Sequence, residues 1–154
     1  MPEIKPSDYI LVVEDSEADF FRIERAIKKS IIQNPLIHID HGDDARDYLL
    51  RTGKHADDPS VVTPSLILLD INLPGMNGIE ILKIIKKTDG VKRIPVIVMT
   101  TSQEEKDIEE CYDYGANSYI VKPFSNKGFL EAMDRIGKYW FSAVELAKPN
   151  SGKE

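Results

Sequence analysis

The stretch Leu-Ile-Leu-Leu-Asp-Ile-Asn-Leu-Pro-Gly-Met-Asn-Gly, residues 66–78, carries the strongest structural signal in this chain. Its first four residues are aliphatic, a run typical of a strand buried on both faces of a parallel sheet. Asp70 ends that run, and Pro74 and Gly78 indicate a turn before a helix. The stretch therefore predicts a strand, a loop and a helix, with a carboxylate where the strand ends.

Similar apolar runs occur four more times, each followed by a segment whose apolar residues recur at helical spacing. They predict strands at residues 9–13, 36–40, 95–99 and 118–121, helices capped by Ser16, Asp43, Ser102 and Ser125, and a last helix from about 126 to 146. Five strands that alternate with five helices imply an α/β fold, a doubly wound parallel sheet with helices on both faces.

Length and composition restrict the possible classes of protein. The chain has 154 residues, which matches one domain, and we expect that domain to span residues 1–147, with a short polar tail at 148–154 that is disordered. Its 26 acidic and 20 basic residues give a net charge of -6, which opposes binding to nucleic acid or to anionic membranes. The single cysteine, Cys111, excludes an intrachain disulfide, and no apolar run is long enough to span a bilayer. A cytoplasmic location is the expectation.

Polar side chains stand at the ends of four of the five predicted strands. Glu14 and Asp15 follow the first strand, Asp70 the third, Thr100 the fourth and Lys122 the fifth. In an open α/β sheet the functional crevice lies at the carboxyl ends of the strands. Any one of these residues alone is weak evidence, but together they predict a functional site at that edge.

Three carboxylates in one crevice repel each other and favour a bound cation. Since the candidate ligands are all oxygens, with no histidine or cysteine among them, the pattern indicates Mg²⁺ rather than zinc. With the metal neutralising charge, Asp70 is the candidate nucleophile toward an activated phosphorus. The Thr100 hydroxyl and the Lys122 ammonium are candidates to hold the phosphoryl oxygens.

Residues 9 to about 136 resemble the receiver domains of two-component response regulators. The resemblance rests on Glu14-Asp15, on Asp70-Ile71-Asn72-Leu73-Pro74-Gly75-Met76-Asn77-Gly78, on Thr100 and on Lys122-Pro123-Phe124. It implies a flavodoxin-like sheet with strand order 2-1-3-4-5. It also implies a signalling domain rather than an enzyme, one that changes conformation when Asp70 receives phosphoryl from a sensor histidine kinase.

The same resemblance implies roles for individual residues. The metal ligands would be Glu14, Asp15, Asp70 and the backbone carbonyl of Asn72, while Thr100 and Lys122 would bind the phosphoryl group. Thr100 and Tyr119 would form the conformational switch, and the bond from Lys122 to Pro123 would be cis.

A narrower resemblance is to the small receivers that partner cyanobacterial phytochrome kinases. It rests on Asp44-Ala45 with Tyr48-Leu49, on the loop at residues 51–64, on residues 68–74 and on the aromatic residues 139–141 of the last helix. It implies a light-signalling pathway. The extra aromatic residues of the last helix either cover the edge of the sheet or form a dimer interface, and the resemblance favours a homodimer. We therefore expect the dimer or partner surface to include Tyr119, Phe129, Trp140 and Phe141. Since no DNA-binding domain follows, output is expected to pass to a downstream protein that the sequence does not identify.

Three other interpretations fit the pattern less well. A haloacid-dehalogenase-type phosphatase would carry a second Asp where this chain has Asn72. A degenerate receiver would have lost one of the acids or the lysine. A flavin or nucleotide carrier would have a glycine-rich turn after the first strand, where Glu14 and Asp15 stand.

Overall fold

The computed structural model describes residues 4–5 and 7–141, which form a five-stranded sheet flanked by five α-helices. In chain order the elements are β1 (Ile10–Val13), α1 (Glu17–Lys28), β2 (Leu36–Ile39), α2 (Gly42–Leu50), a short 3₁₀ helix (Gly53–His55), β3 (Leu66–Leu69), α3 (Gly78–Lys87), β4 (Val96–Thr100), α4 (Glu105–Asp113), β5 (Ser118–Val121) and α5 (Asn126–Trp140). All strands are parallel, in the order β2-β1-β3-β4-β5. The predicted fold class and strand order are confirmed.

Successive residues of each strand point to opposite faces of the sheet, which divides the core in two. Residues such as Leu11, Ile67 and Val98 face one side, where they pack with buried residues of α2, α3 and α4. Their neighbours along the strands face the other side, toward α1 and α5. Because β1, β3 and β4 are covered on both faces, their sequences are continuous aliphatic runs rather than alternating ones.

The aromatic residues of the last helix lie mainly inside the chain. Phe129, Trp140 and Phe141 are 1%, 8% and 6% exposed, and all three belong to the core on the α1 side of the sheet. Their expected place on a dimer or partner surface is therefore wrong, because the same apolar stripe that favours association also packs onto the sheet. Tyr139, by contrast, is 67% exposed.

Helix α5 is described as far as Trp140, with Phe141 as its C-cap. The expected extension of this helix to residue 146 and the expected tail at 148–154 lie outside the described residues. Within residues 4–5 and 7–141, no helix is both long and apolar enough to cross a membrane.

Candidate functional site

Most buried polar side chains of the described residues lie at one edge of the sheet. The five that are buried are Glu14, Asn34, Asp70, Thr100 and Lys122, and all but Asn34 stand where a strand ends at the carboxyl edge. Acids and lysines are almost never buried unless they are paired. The parallel strands thus bring the predicted residues together, as the sequence indicated, and Asp15 lies exposed beside them.

The Lys122 ammonium is the centre of this cluster. Its Nζ lies 2.6 Å from Oε1 of Glu14, 2.8 Å from Oδ2 of Asp70 and 2.9 Å from Oδ2 of Asp19. Burial lowers the pKa of Lys122, but its hydrogen bonds to these three carboxylates outweigh that effect and raise the pKa above its ordinary value. The lysine is therefore held in its charged form.

Asp19 is the member of this cluster that the sequence analysis missed. It lies in the first turn of α1, where its N–H donates to the capping hydroxyl of Ser16. No local pattern marks Asp19 as a site residue, because Asp15 precedes the helix, which begins at Glu17, and Lys122 is 103 residues away in sequence.

The Glu14 carboxyl has a strongly altered protonation equilibrium. Burial raises its pKa, the hydrogen bond to Lys122 lowers it and the nearby charge of Asp70 raises it, so that the pKa moves from 4.5 to about 7. Its other oxygen, Oε2, accepts from the N–H of Ser16 at 3.1 Å. The single positive charge of Lys122 therefore does not fully neutralise the acids around it.

Asp70 is held by two hydrogen bonds of different kinds. Its Oδ1 accepts from the N–H of Asn72 at 3.0 Å, while Oδ2 accepts from Lys122. The Asn72 side chain in turn donates to the Thr100 hydroxyl at 3.2 Å. The carboxylate thus has a fixed orientation beside the hydroxyl and the ammonium that the sequence analysis grouped with it.

Gly78, at the end of the loop after β3, allows the backbone to pack closely against Asp70 and Ile71 at the start of the same loop. A Cβ added at Gly78 would overlap the carbonyl oxygen of Asp70 and the Cα of Ile71, and the Gly78 N–H donates to the Ile71 carbonyl at 3.0 Å. Gly78 is thus needed here for close approach of the backbone, at the start of α3. This contact fixes the backbone that carries the Asp70 side chain.

The donor set fits a hard divalent cation. Glu14, Asp15 and Asp70 each have a carboxylate oxygen, and these three oxygens lie within 4.8 Å of one another. Mg²⁺ prefers such oxygen ligands and is held by one or two carboxylates with other oxygens completing its shell. The Asn72 carbonyl remains a predicted ligand.

Tyr119 connects the site to the β4–α4 loop. The Tyr119 hydroxyl donates to the carbonyl of Ser102 at 2.9 Å, two residues beyond Thr100. Ser102 itself donates to the Asp107 carboxylate at 2.6 Å. The half-buried side chain of Tyr119 is thus hydrogen-bonded to the loop that begins directly after Thr100.

The expected cis bond between Lys122 and Pro123 is wrong, since none of the described peptide bonds is cis. The two isomers of a bond to proline differ by only about 1 kcal/mol, so the dipeptide itself does not select one. In the trans form the Lys122 side chain reaches all three of its carboxylate partners.

Comparison with known proteins gives consistent matches. The family model for the response regulator receiver domain matches residues 10–134. The response regulator Rcp1 of the cyanobacterium Synechocystis is 38% identical over 144 residues, which are 94% of this chain and 96% of Rcp1.

Solved structures agree with this match. The phosphorylated cyanobacterial phytochrome response regulator RcpA has a TM-score of 0.81 and 36% identity, covering 89% of this chain and 96% of RcpA. The Mn²⁺-bound form of Rcp1 has a TM-score of 0.78 and 38% identity, covering 86% of this chain and 94% of that one. The chain therefore belongs to the response regulator receiver domain family.

Proposed function

We propose that this chain is a phosphoacceptor switch in which Asp70 receives a phosphoryl group from the phosphohistidine of a sensor histidine kinase. The observation that carries the proposal is the buried Asp70 carboxylate, hydrogen-bonded to Lys122 and within the acidic cluster of Glu14 and Asp15. A reactive carboxylate, a cation site and an ammonium group at one edge of the sheet supply what in-line phosphoryl transfer requires.

In the transfer step, a carboxylate oxygen of Asp70 forms the new bond to phosphorus as the bond from phosphorus to the histidine nitrogen breaks. The histidine leaves with that electron pair. The Lys122 ammonium and the Thr100 hydroxyl would donate hydrogen bonds to the phosphoryl oxygens, where negative charge collects; the contacts of Lys122 with Asp70 and of Thr100 with Asn72 support these roles. Slow loss of the group to water would return the carboxylate.

The ligands for Mg²⁺ would be Glu14, Asp15, Asp70 and the backbone carbonyl of Asn72. The metal, when bound, supplies positive charge that neutralises the phosphoryl oxygens and the cluster itself. That role is supported by the excess of acid around Lys122 and by the Mn²⁺-bound structure of Rcp1.

The output of the switch would pass through Thr100 and Tyr119. A phosphoryl group on Asp70 offers the Thr100 hydroxyl a new acceptor, and the loop that follows Thr100 is bound by the Tyr119 hydroxyl. We propose that the kinase is a phytochrome and that signalling occurs in the cytoplasm, by contact with a downstream protein. Support for the light-signalling pathway is the similarity to RcpA, whose structure is described as that of a phytochrome response regulator.

Incubating the wild-type chain with a small acyl phosphate and Mg²⁺ tests the phosphoacceptor function directly. Intact-mass measurement is expected to show the gain of one phosphoryl group, and a chelator should prevent that gain because the acidic cluster then lacks its cation. A wild-type chain that gains no mass with Mg²⁺ present would contradict the proposal.

A homodimer is part of the same proposal. Its interface would include Tyr119 on the edge strand β5, where the exposed rings of Tyr112 and Tyr139 border a cavity of about 270 Å³. Tyrosine is enriched in protein interfaces. Light scattering at micromolar concentration is expected to give twice the chain mass, and a monomer both with and without phosphorylation would exclude this assembly.

A further inference from the structure

Asp19 has a different position from the other two carboxylates that contact Lys122. Glu14 and Asp70 each contact the lysine and also belong to the group of acids whose oxygens lie within 4.8 Å of one another. Asp19 contacts Lys122 at 2.9 Å but is outside that group. A cation held by these acids would therefore bind two carboxylates that also contact Lys122, those of Glu14 and Asp70. It would not bind Asp19.

The orientation of Asp19 is fixed by its other contacts. Its Oδ2 accepts from Lys122, while Oδ1 accepts from Arg22 at 3.3 Å. Its backbone N–H is occupied by the Ser16 cap. The carboxylate therefore offers one oxygen to the site from a fixed place in the first turn of α1.

An ammonium group has three hydrogens, and here three carboxylate oxygens lie within 2.9 Å of its nitrogen, one of them from Asp19. If Asp19 did not accept a hydrogen bond from it, Lys122 would interact more strongly with Glu14 and Asp70. Those are the oxygens that a cation needs, so the lysine and the cation would then compete more strongly.

We propose that Asp19 is a positioning residue for Lys122, which draws the ammonium group away from Glu14 and Asp70 so that these two acids remain available to Mg²⁺. Asp19 thereby anchors Lys122 from the first turn of α1, beside Asp70, where a phosphoryl group on Asp70 would meet the ammonium. The proposal rests on the proposed phosphoacceptor function.

The test compares Asp19→Asn with Glu17→Gln in the full chain. Both substitutions remove one negative charge from the first turn of α1, but Glu17 is exposed and has no contact with Lys122 among the described side chains. Calorimetric titration with Mg²⁺ is expected to give a dissociation constant about fivefold higher for Asp19→Asn, the size of effect typical of a partly exposed charge pair. Glu17→Gln should change it less than about twofold.

Repeating the Asp19→Asn substitution in a Lys122→Met background separates positioning from simple charge. Without the lysine, the substitution is expected to change the dissociation constant by a smaller factor, because only the direct attraction between Asp19 and the cation is then lost. The same fivefold change in both backgrounds would overturn the proposal, as would equal effects of Asp19→Asn and Glu17→Gln.

A measurement on the metal-free protein keeps the two proposals distinct. Proton–nitrogen NMR of lysine side chains is expected to show an ordered ammonium signal for Lys122 whose chemical shift changes in Asp19→Asn, where Glu14 and Asp70 remain as its carboxylate partners, and stays the same in Glu17→Gln. A wild-type chain that binds no Mg²⁺ would contradict the phosphoacceptor function, while an unchanged Lys122 signal in Asp19→Asn would contradict the role of Asp19. Circular dichroism checks folding, and Asp19→Ser provides a second variant without the carboxylate.

Discussion

Asp70→Asn is expected to gain no phosphoryl group from a small acyl phosphate and Mg²⁺, under conditions in which the wild-type chain gains one. The amide nitrogen is not a nucleophile at neutral pH, and the substitution removes a charge from the cation site. Asn at this position can still accept the Asn72 N–H with its single oxygen, but it then presents an NH₂ group toward Lys122. Intact-mass measurement of both proteins gives the result directly.

The fold is expected to survive this substitution, because Lys122 keeps Glu14 and Asp19 as partners. The matched control is Asp40→Asn, which makes the same chemical change at an exposed acid just beyond the end of β2. That variant should gain one phosphoryl group like the wild type. An adduct that persists in Asp70→Asn, or disappears in Asp40→Asn, would show that Asp70 is not the acceptor.

The sheet was predictable because buried parallel strands leave a distinct pattern. The strands at residues 66–69 and 118–121 have the bounds that the sequence predicted, and the other three differ by one residue at one or both ends. Residues at strand ends also identify the site, since parallel strands place Asp70, Thr100 and Lys122 at one edge of the sheet regardless of the conformation of the loops.

Contacts between side chains that are distant in sequence were harder to predict from the sequence. Asp19 and Lys122 are 103 residues apart, and nothing in either local sequence indicates their contact. Local rules also failed at two helix starts: α2 is capped by the His41 side chain rather than by Asp43, and α4 begins after Glu104 rather than at Ser102.

At those two starts, tertiary contacts replace the local preference. His41 packs against the glycine turn at Gly75, where the loop that follows β3 meets the start of α2. Ser102 instead donates to Asp107 and accepts from the N–H of Glu104, while its carbonyl accepts from Tyr119. Capping motifs predict which residue types stand near a helix start, but such contacts select among them.

Glu14→Gln is expected to change how the stability of the metal-free protein depends on pH. The pKa of Glu14 is 4.5 as a free carboxyl and about 7 in the folded chain, so between these values the folded state binds more protons than the unfolded state. Stability therefore falls as the pH rises from about 4.5 through 7. Since one pKa unit corresponds to about 1.4 kcal/mol, the fall attributable to Glu14 is roughly 3 kcal/mol.

Glutamine is neutral at every pH and has nearly the same shape, so Glu14→Gln should lose this component of the pH dependence. We expect the variant and the wild type to have similar unfolding free energies near pH 5, and the variant to be more stable by about 2–3 kcal/mol at pH 8. Urea unfolding in a chelator, followed by circular dichroism from pH 5 to pH 8, measures the difference. Glu17 is an exposed acid nearby, and the unfolding free energy of Glu17→Gln should have the same pH dependence as that of the wild type across this range. Parallel curves for Glu14→Gln as well would mean that Glu14 is already ionised at pH 5 in the folded protein, and that Lys122 compensates its charge fully.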